Sequence, residues 1–310
     1  MEKLDKVNYL NIKHICYNSS VSHYWLQNFF YYFMNYYIST FVWVKSIILT
    51  EMRNGEFMLI GIIGAMEQEI KLLTRSMDIS EIKTLGMRDY YIGKLFGRDV
   101  VLVFSKCGKV AASSCVTTLI NVFKVNIVIF TGVAGGVDST LNIGDIVIAD
   151  KLIQHDMDAS PMPGCKKFEI PLLGTGIFET DSKLTSLGVS SAQQYISEYM
   201  KNDVSEEALK EFHISTPKVV VGTIASGDQF IADSNKVRAL SGEIENLKCI
   251  EMEGAAVAQV CYEHKIDYIV FRVISDKADE HASINFPLFI EKTASHFTRG
   301  IVKQFISEIK

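Results

Sequence analysis

From Met58 onward the chain repeats one pattern. Short apolar runs recur, and each ends in glycine, serine or aspartate: MLIGIIGA (58–65), VNIVIFTGVAGG (125–136), DIVIAD (145–150), VVVGTIASGDQFI (219–231) and DYIVFRVISDKAD (267–279). Runs this short and this unbroken fit strands buried on both faces. Between them apolar residues fall at helical spacing: Ile70, Leu73 and Met77 in EQEIKLLTRSM, Val116, Leu119, Ile120 and Phe123 in KVAASSCVTTLINVF (109–123), and Phe297, Ile301, Phe305 and Ile309 in a closing helix over 288–310. YYIGKLFGRDVVLVFSKCG (90–108) reads as two strands around a Gly-Arg-Asp turn, and CIEMEGAAVAQVCYEHK (249–265) enters another helix. Strands alternating with helices predict a single α/β domain over 58–310, a twisted, mostly parallel mixed sheet flanked by helices on both faces. Neither an internal repeat nor a Ser/Gly linker divides it. Three of the five prolines fall in SPMPGCKKFEIP (160–171), an irregular loop of a length that is usually functional.

Residues 1–57 differ. They hold both tryptophans and about half of the thirteen tyrosines. Gln27, Asn28 and Asn35 interrupt their apolar run short of the roughly 20 residues of a membrane span, and no small-residue cleavage site marks a signal peptide. Three readings of this extension stay open: a membrane- or surface-associated segment, an ordered extension, and an upstream leader before a start at Met52 or Met58. A net charge of −5 without a Lys/Arg cluster argues against a nucleic-acid partner. Six scattered cysteines without a CxxC read as reduced thiols of a cytoplasmic protein, with structural zinc or disulfides as the lesser alternatives.

In folds of this class ligands bind outside the carboxyl ends of the strands. The polar residues there are Glu67 and Glu69, Ser105, the glycine loop 132–136, Ser226-Gly227-Asp228 with Phe230, Glu251 and Glu253, and Ser275-Asp276. Each has a bland account. TGVAGG lacks GxGxxG spacing and no GKS or GKT follows, so it is either a plain tight turn or a place where backbone approaches a flat ligand. Asp276 serves as a helix N-cap, Glu69 favours the first turn of its helix, and Phe230, Met66, Met252 and Phe286 are core by default. Convergence of several acids with few cations to pair them is harder to dismiss, because unpartnered buried carboxylates are costly and are retained for chemistry.

GIIGAMEQE, SKCGKVAA, TGVAGG, SGDQFI, EMEGAAVAQVC and VISDKAD, in that order, resemble the bacterial 5'-methylthioadenosine/S-adenosylhomocysteine nucleosidases of the nucleoside phosphorylase superfamily. The likeness runs from Met58 to the C-terminus and makes 58–310 a nucleosidase domain. It implies a homodimer that hydrolyses methylthioadenosine and S-adenosylhomocysteine, with 5'-deoxyadenosine as a further substrate, and that uses no cofactor or metal. It implies that Asp276, oriented by Ser275, protonates N7 of adenine and that Glu69 activates water beside Ser105 and Arg272. Glu253 would bind the ribose hydroxyls above Met252, and Phe230 would stack on the base while the Ile231 backbone reads its edge. Ala134 and Gly135 would let the backbone approach the base. Met66 and Phe286 would line the alkylthio pocket, completed from the partner by the loop containing Pro171. Val133, where many relatives have serine, and Leu172-Leu173 after Pro171 depart from the family pattern.

The chemistry agrees with these roles. Cleaving a glycosidic bond calls for an acid at the leaving group and a base at the water, with an oxocarbenium-like sugar between them. A carboxylate beside the ring favours that developing cation. Glu253, at a helix mouth, can face a pocket; Glu251, two residues earlier, cannot share its helix face and reads as structural. Two rivals remain: a phosphorolytic purine nucleoside phosphorylase, disfavoured because Glu67 and Glu69 stand where phosphate would need arginines, and an adenine-nucleoside-binding or surface protein without turnover.

Overall fold

Leu59–Gly64, the first apolar run, forms β1, and every residue in it after Leu59 is buried. The computed structural model describes residues 58–279 and 281–309, so the extension expected over 1–57 lies outside the described residues. Met58–Lys310 is one compact unit. After β1 come α1 (Glu67–Ser76), β2 (Met77–Leu85), β3 (Arg88–Leu95), β4 (Arg98–Phe104), α2 (Lys109–Thr118), β5 (Ile127–Gly136), β6 (Ile146–Gln154) and β7 (Ile177–Glu179). They are followed by α3 (Ser182–Gln194), α4 (Met200–Asp203), α5 (Glu206–Glu211), β8 (Val219–Ser226), α6 (Ser234–Glu243), β9 (Leu247–Glu251), α7 (Gly254–His264), β10 (Asp267–Asp276), α8 (Ala282–Phe289) and α9 (Ser295–Glu308).

The strands make one mixed sheet that closes partly on itself. β5 pairs parallel with β10, β10 antiparallel with β6, β6 parallel with β8, β8 parallel with β9, and β9 antiparallel with β5. From this ring the sheet continues through β1 and β4, both parallel, to the antiparallel β3 and β2. The ring closes where Gly135 and Gly136 face Ile250 and Cys249. Helices cover both faces, as the alternation predicts. Ile60, Ile62 and Ile129 pack with Phe297, Ile301 and Phe305 of α9, while Ile63, Val128 and Phe130 pack with Ala255, Val257 and Cys261 of α7.

Local departures have local causes. Met77 does not extend α1 but opens β2, a largely exposed edge strand whose polar sequence hides its pairing with β3. The helix expected over 109–123 passes into a wider turn at Leu119–Phe123 and stops at Lys124, which has a left-handed backbone. The closing helix begins earlier than expected, at Ala282, with a similar wide turn at Ile290–Ala294. Its ladder of Phe297, Ile301, Phe305 and Ile309 is buried throughout. The proline-rich loop is irregular apart from single bridges joining Asp158 to Lys167 and Ile170 to Thr175.

Candidate active site

The end of β5 decides the site. A Cβ on Gly132 would stand 2.6 Å from Oε1 of Glu69, and one on Gly135 would stand 3.0 Å from Oδ1 of Asp276. β5 therefore carries two openings three residues apart, about 10 Å along the strand at about 3.3 Å per residue, the first occupied by Glu69 and the second shared by Asp276 and the Ala278 methyl, 2.9 Å from a Cβ there. Neither glycine needs a left-handed backbone; their missing side chains are what matter.

Glu69 sits in the first turn of α1 but turns back toward the loop before it. Oε2 accepts the backbone N–H groups of Ala65 (2.7 Å) and Met66 (2.9 Å), and Oε1 accepts that of Val133 (3.0 Å). Burial raises its pKa, and this outweighs the opposing pull of the Arg272 charge and the three N–H donors. A carboxyl with a raised pKa at a protein-held position is suited to exchange a proton with water.

Asp276 ends β10, where the register against β5 slips between Ile274 and Asp276. The bulged residue is Ser275. Bulges re-aim side chains, and here Ser275 Oγ donates to Asp276 Oδ2 at 2.7 Å while the Ala278 N–H donates to Oδ1 at 2.8 Å. Both donors favour the carboxylate, yet burial dominates and pushes the pKa up. The cap-like contact to Ala278 coexists with an acid able to carry a proton.

Glu251 and Glu253 divide their work. Glu251 caps α7: its oxygens accept the N–H groups of Gly254 (2.8 and 2.9 Å) and Glu253 (3.1 Å), the Ser226 hydroxyl, and Arg272 Nη2 at 2.7 Å. With the helix end satisfied, the Glu253 side chain is free to leave it and accept the Gly108 N–H at 2.6 Å. Burial and the neighbouring Glu251 charge push Glu253 up to about 8. Further hydrogen-bond donors reaching it would draw it back toward the carboxylate.

These groups share one half-open cavity. The phosphorylase superfamily model matches residues 59–307. The 5'-methylthioadenosine/S-adenosylhomocysteine nucleosidase of Bacillus cytotoxicus is 36% identical over 253 residues, 82% of this chain and 100% of that protein. The chain belongs to this nucleosidase family of the phosphorylase superfamily. Solved relatives include the Neisseria meningitidis nucleosidase in complex with methylthio-immucillin-A (31% identity, TM-score 0.69, 81% of this chain and 99% of that one). A Colwellia psychrerythraea nucleosidase in complex with adenine matches at 30% identity and a TM-score of 0.70, covering 81% of this chain and 96% of that one. The futalosine hydrolase of Helicobacter pylori matches at 32% and 0.68, covering 81% and 98%.

Of the residues the nucleosidase resemblance singles out, Met66, Glu69, Ala134, Gly135, Phe230, Ile231, Met252, Glu253, Ser275, Asp276 and Phe286 line the cavity together. Phe230 is half exposed, with the Phe286 ring edge-on at 5.6 Å. Ser105, Arg272 and Pro171 are not among the lining residues. Ser105 is fully buried, its hydroxyl donating to the Lys106 carbonyl. Arg272 lies on the Phe130 ring, paired with Glu251, and its Nε has no protein partner. Pro171 belongs to the turn between Ile170 and Thr175, beside the fully exposed Leu172. Sequence reasoning missed Cys107 and Gln229 as lining residues, and the Gly108 N–H on Glu253. Cys107 stands just beyond the β4 end, the one signal that marked it. Partial desolvation at the cavity edge and the charges of Glu253 and Glu69 raise its pKa.

Proposed function

We propose that this chain hydrolyses the N-glycosidic bond of 5'-methylthioadenosine and S-adenosylhomocysteine, and of 5'-deoxyadenosine, releasing adenine and the 5-substituted ribose. The observation that carries the reading is that Glu69 and Asp276, each buried and held by hydrogen bonds, line one cavity, with Gly132 and Gly135 of β5 leaving room beside them. Asp276 delivers a proton to N7, so the purine leaves neutral, and Ser275 fixes the carboxyl's rotation. Glu69, held by three N–H groups, takes a proton from the water that attacks the opposite face of the sugar. Arg272 Nε, unpartnered beneath the site, is a donor suited to that water, and buried Ser105 shapes the floor from behind. Glu253 receives the ribose hydroxyls over Met252, and its negative charge favours the developing oxocarbenium ion. Phe230 stacks on adenine, the Ile231 backbone reads its edge, and Ala134 and Gly135 give the base a flat wall. Met66 and Phe286 take the 5' substituent.

A second copy of the chain completes that 5' pocket through the turn at Pro171, whose neighbour Leu172 is the most exposed large apolar residue described. The exposed, unpaired Cys107 suits a reducing, cytoplasmic compartment. No described helix is long and apolar enough to cross a membrane.

Hydrolysis is favoured over phosphorolysis because the guanidiniums near the site are largely engaged, leaving Arg272 Nε open but no cluster of donors. Arg88 donates to the carbonyls of Ser105, Gly86 and Ala111, and Arg272 pairs with Glu251. Phosphate would meet Glu69 instead of a donor cluster. Incubation with methylthioadenosine in phosphate-free buffer should yield adenine and free methylthioribose. Cleavage that requires phosphate and forms the sugar 1-phosphate would overturn the reading.

A further inference from the structure

The polar turn after β8 carries a group that the reaction does not use. Asp228 lies two residues before Phe230, and its Oδ1 accepts the backbone N–H of Lys109 at 2.8 Å. Its own N–H donates to Asp156 Oδ2 at 2.9 Å. Lys109 Nζ then joins Asp156 Oδ1 at 2.6 Å and Gln154 Oε1 at 3.0 Å. One cation and two carboxylates thus tie together the ends of β6 and β8 and the start of α2. The Lys109–Asp156 pair is mostly buried, with side-chain exposures of 17% and 19%, so it is screened less than a surface pair.

What the brace holds is the substrate's surroundings. Lys109 directly follows Gly108, whose N–H is on Glu253. The Asp228 carboxylate lies against Gly108 closely enough that a Cβ there would meet Oδ1 at 3.1 Å. Gly108 also has a left-handed backbone, φ 94°, and gives α2 no side-chain cap. Asp228 supplies the missing acceptor from 119 residues away in sequence. The same side chain therefore ties the loop bearing the base-stacking Phe230 to the peptide that orients the ribose-binding carboxylate.

We propose that Asp228 is a positioning residue for the nucleoside, acting through Lys109 and Asp156 to keep Phe230 and the Gly108–Glu253 contact in mutual register. The inference rests on the nucleosidase reading and adds a residue to it. Stacking and ribose contacts exist in the ground state as well as the transition state, so their loosening raises KM rather than lowering kcat.

The test compares Asp228→Ala, Asp228→Asn and Lys109→Met with wild type, measuring adenine Kd by calorimetry, kcat and KM for methylthioadenosine, and Tm. Loss of a charge-assisted hydrogen bond predicts a rise of about tenfold in adenine Kd and in KM for Asp228→Ala, with kcat changed less than about threefold. Asp228→Asn keeps an acceptor at Oδ1 and should stay within about threefold of wild type; Lys109→Met, which keeps its backbone N–H, should fall between the two. Unchanged adenine Kd in Asp228→Ala overturns the proposal, as do equal losses in the Ala and Asn variants or a Tm drop without a change in Kd. If Asp228→Ala does not fold, an unchanged Kd in Lys109→Met overturns it. Wild type that binds adenine yet releases none from methylthioadenosine refutes the nucleosidase reading, while the Kd comparison still decides the brace. Wild type that binds no adenine refutes both.

Discussion

Gly132→Ala is the smallest change that tests how the fold holds its base. The added Cβ would sit 2.6 Å from Glu69 Oε1 and 3.1 Å from Cδ, well inside the roughly 3.5 Å at which heavy atoms pack without strain. The backbone at 132 lies in β5 and outside the left-handed region, so alanine itself is tolerated there. The strain falls on the carboxylate, which must retreat by roughly 1 Å and so give up the Val133 N–H that Oε1 accepts at 3.0 Å. Overpacking of this kind costs about 1–3 kcal/mol of stability, and a misplacement of about 1 Å costs on the order of 100-fold in rate. Adenine release should therefore drop about 100-fold in kcat, with a few degrees lost in Tm. Adenine itself should bind as in wild type, because Asp276 and Phe230 are untouched. The assay is steady-state adenine release from methylthioadenosine beside a melting curve and an adenine titration. A folded variant with kcat within threefold of wild type would refute the claim that Glu69 must stand where Gly132 admits it.

Two further changes probe the rest of the cavity. Glu253 rises from its ordinary value of 4.5 to about 8, so between those values the native state holds a proton that the unfolded chain has released. Stability of the empty protein then falls as pH rises through that window. Glu253→Gln should raise Tm relative to wild type more at pH 8.5 than at pH 5, and a pH-independent difference would contradict the assignment. Phe230→Ala removes the stacking surface of a half-exposed ring, so adenine Kd should rise about 10- to 100-fold with little change in Tm; unchanged affinity would show that the base lies elsewhere.

The helical and strand pattern made the sheet and its two helix layers legible, because buried parallel strands such as Leu59–Gly64 must be apolar throughout. β2 was not legible: at an edge, Ile79 and Ile82 stay exposed and no periodicity is required of the strand. β9 is five residues long and was absorbed into the helix mouth that follows it. Closure of the ring through Gly135 and Gly136 depends on pairings between distant strands, which no local pattern encodes. Most of the candidate site was readable from which residues end each strand. What Gly132 and Gly135 of TGVAGG make room for within the protein was not, since Glu69 on α1 and Asp276 and Ala278 at the end of β10 lie far off in sequence. Likewise the Glu251–Arg272 pair, which frees Glu253, appears only once β9 and β10 are assembled.

The proton donor is the centre of this account, and Asp276→Asn tests it most directly. Asparagine keeps the size and the contact to the Ala278 N–H but carries no acidic proton. Turnover of methylthioadenosine should fall by about 100-fold or more, the usual worth of a general acid, while the variant still binds methylthioadenosine with an affinity near that of wild type. Asp276→Asn protein that turns over at close to the wild-type rate would contradict it.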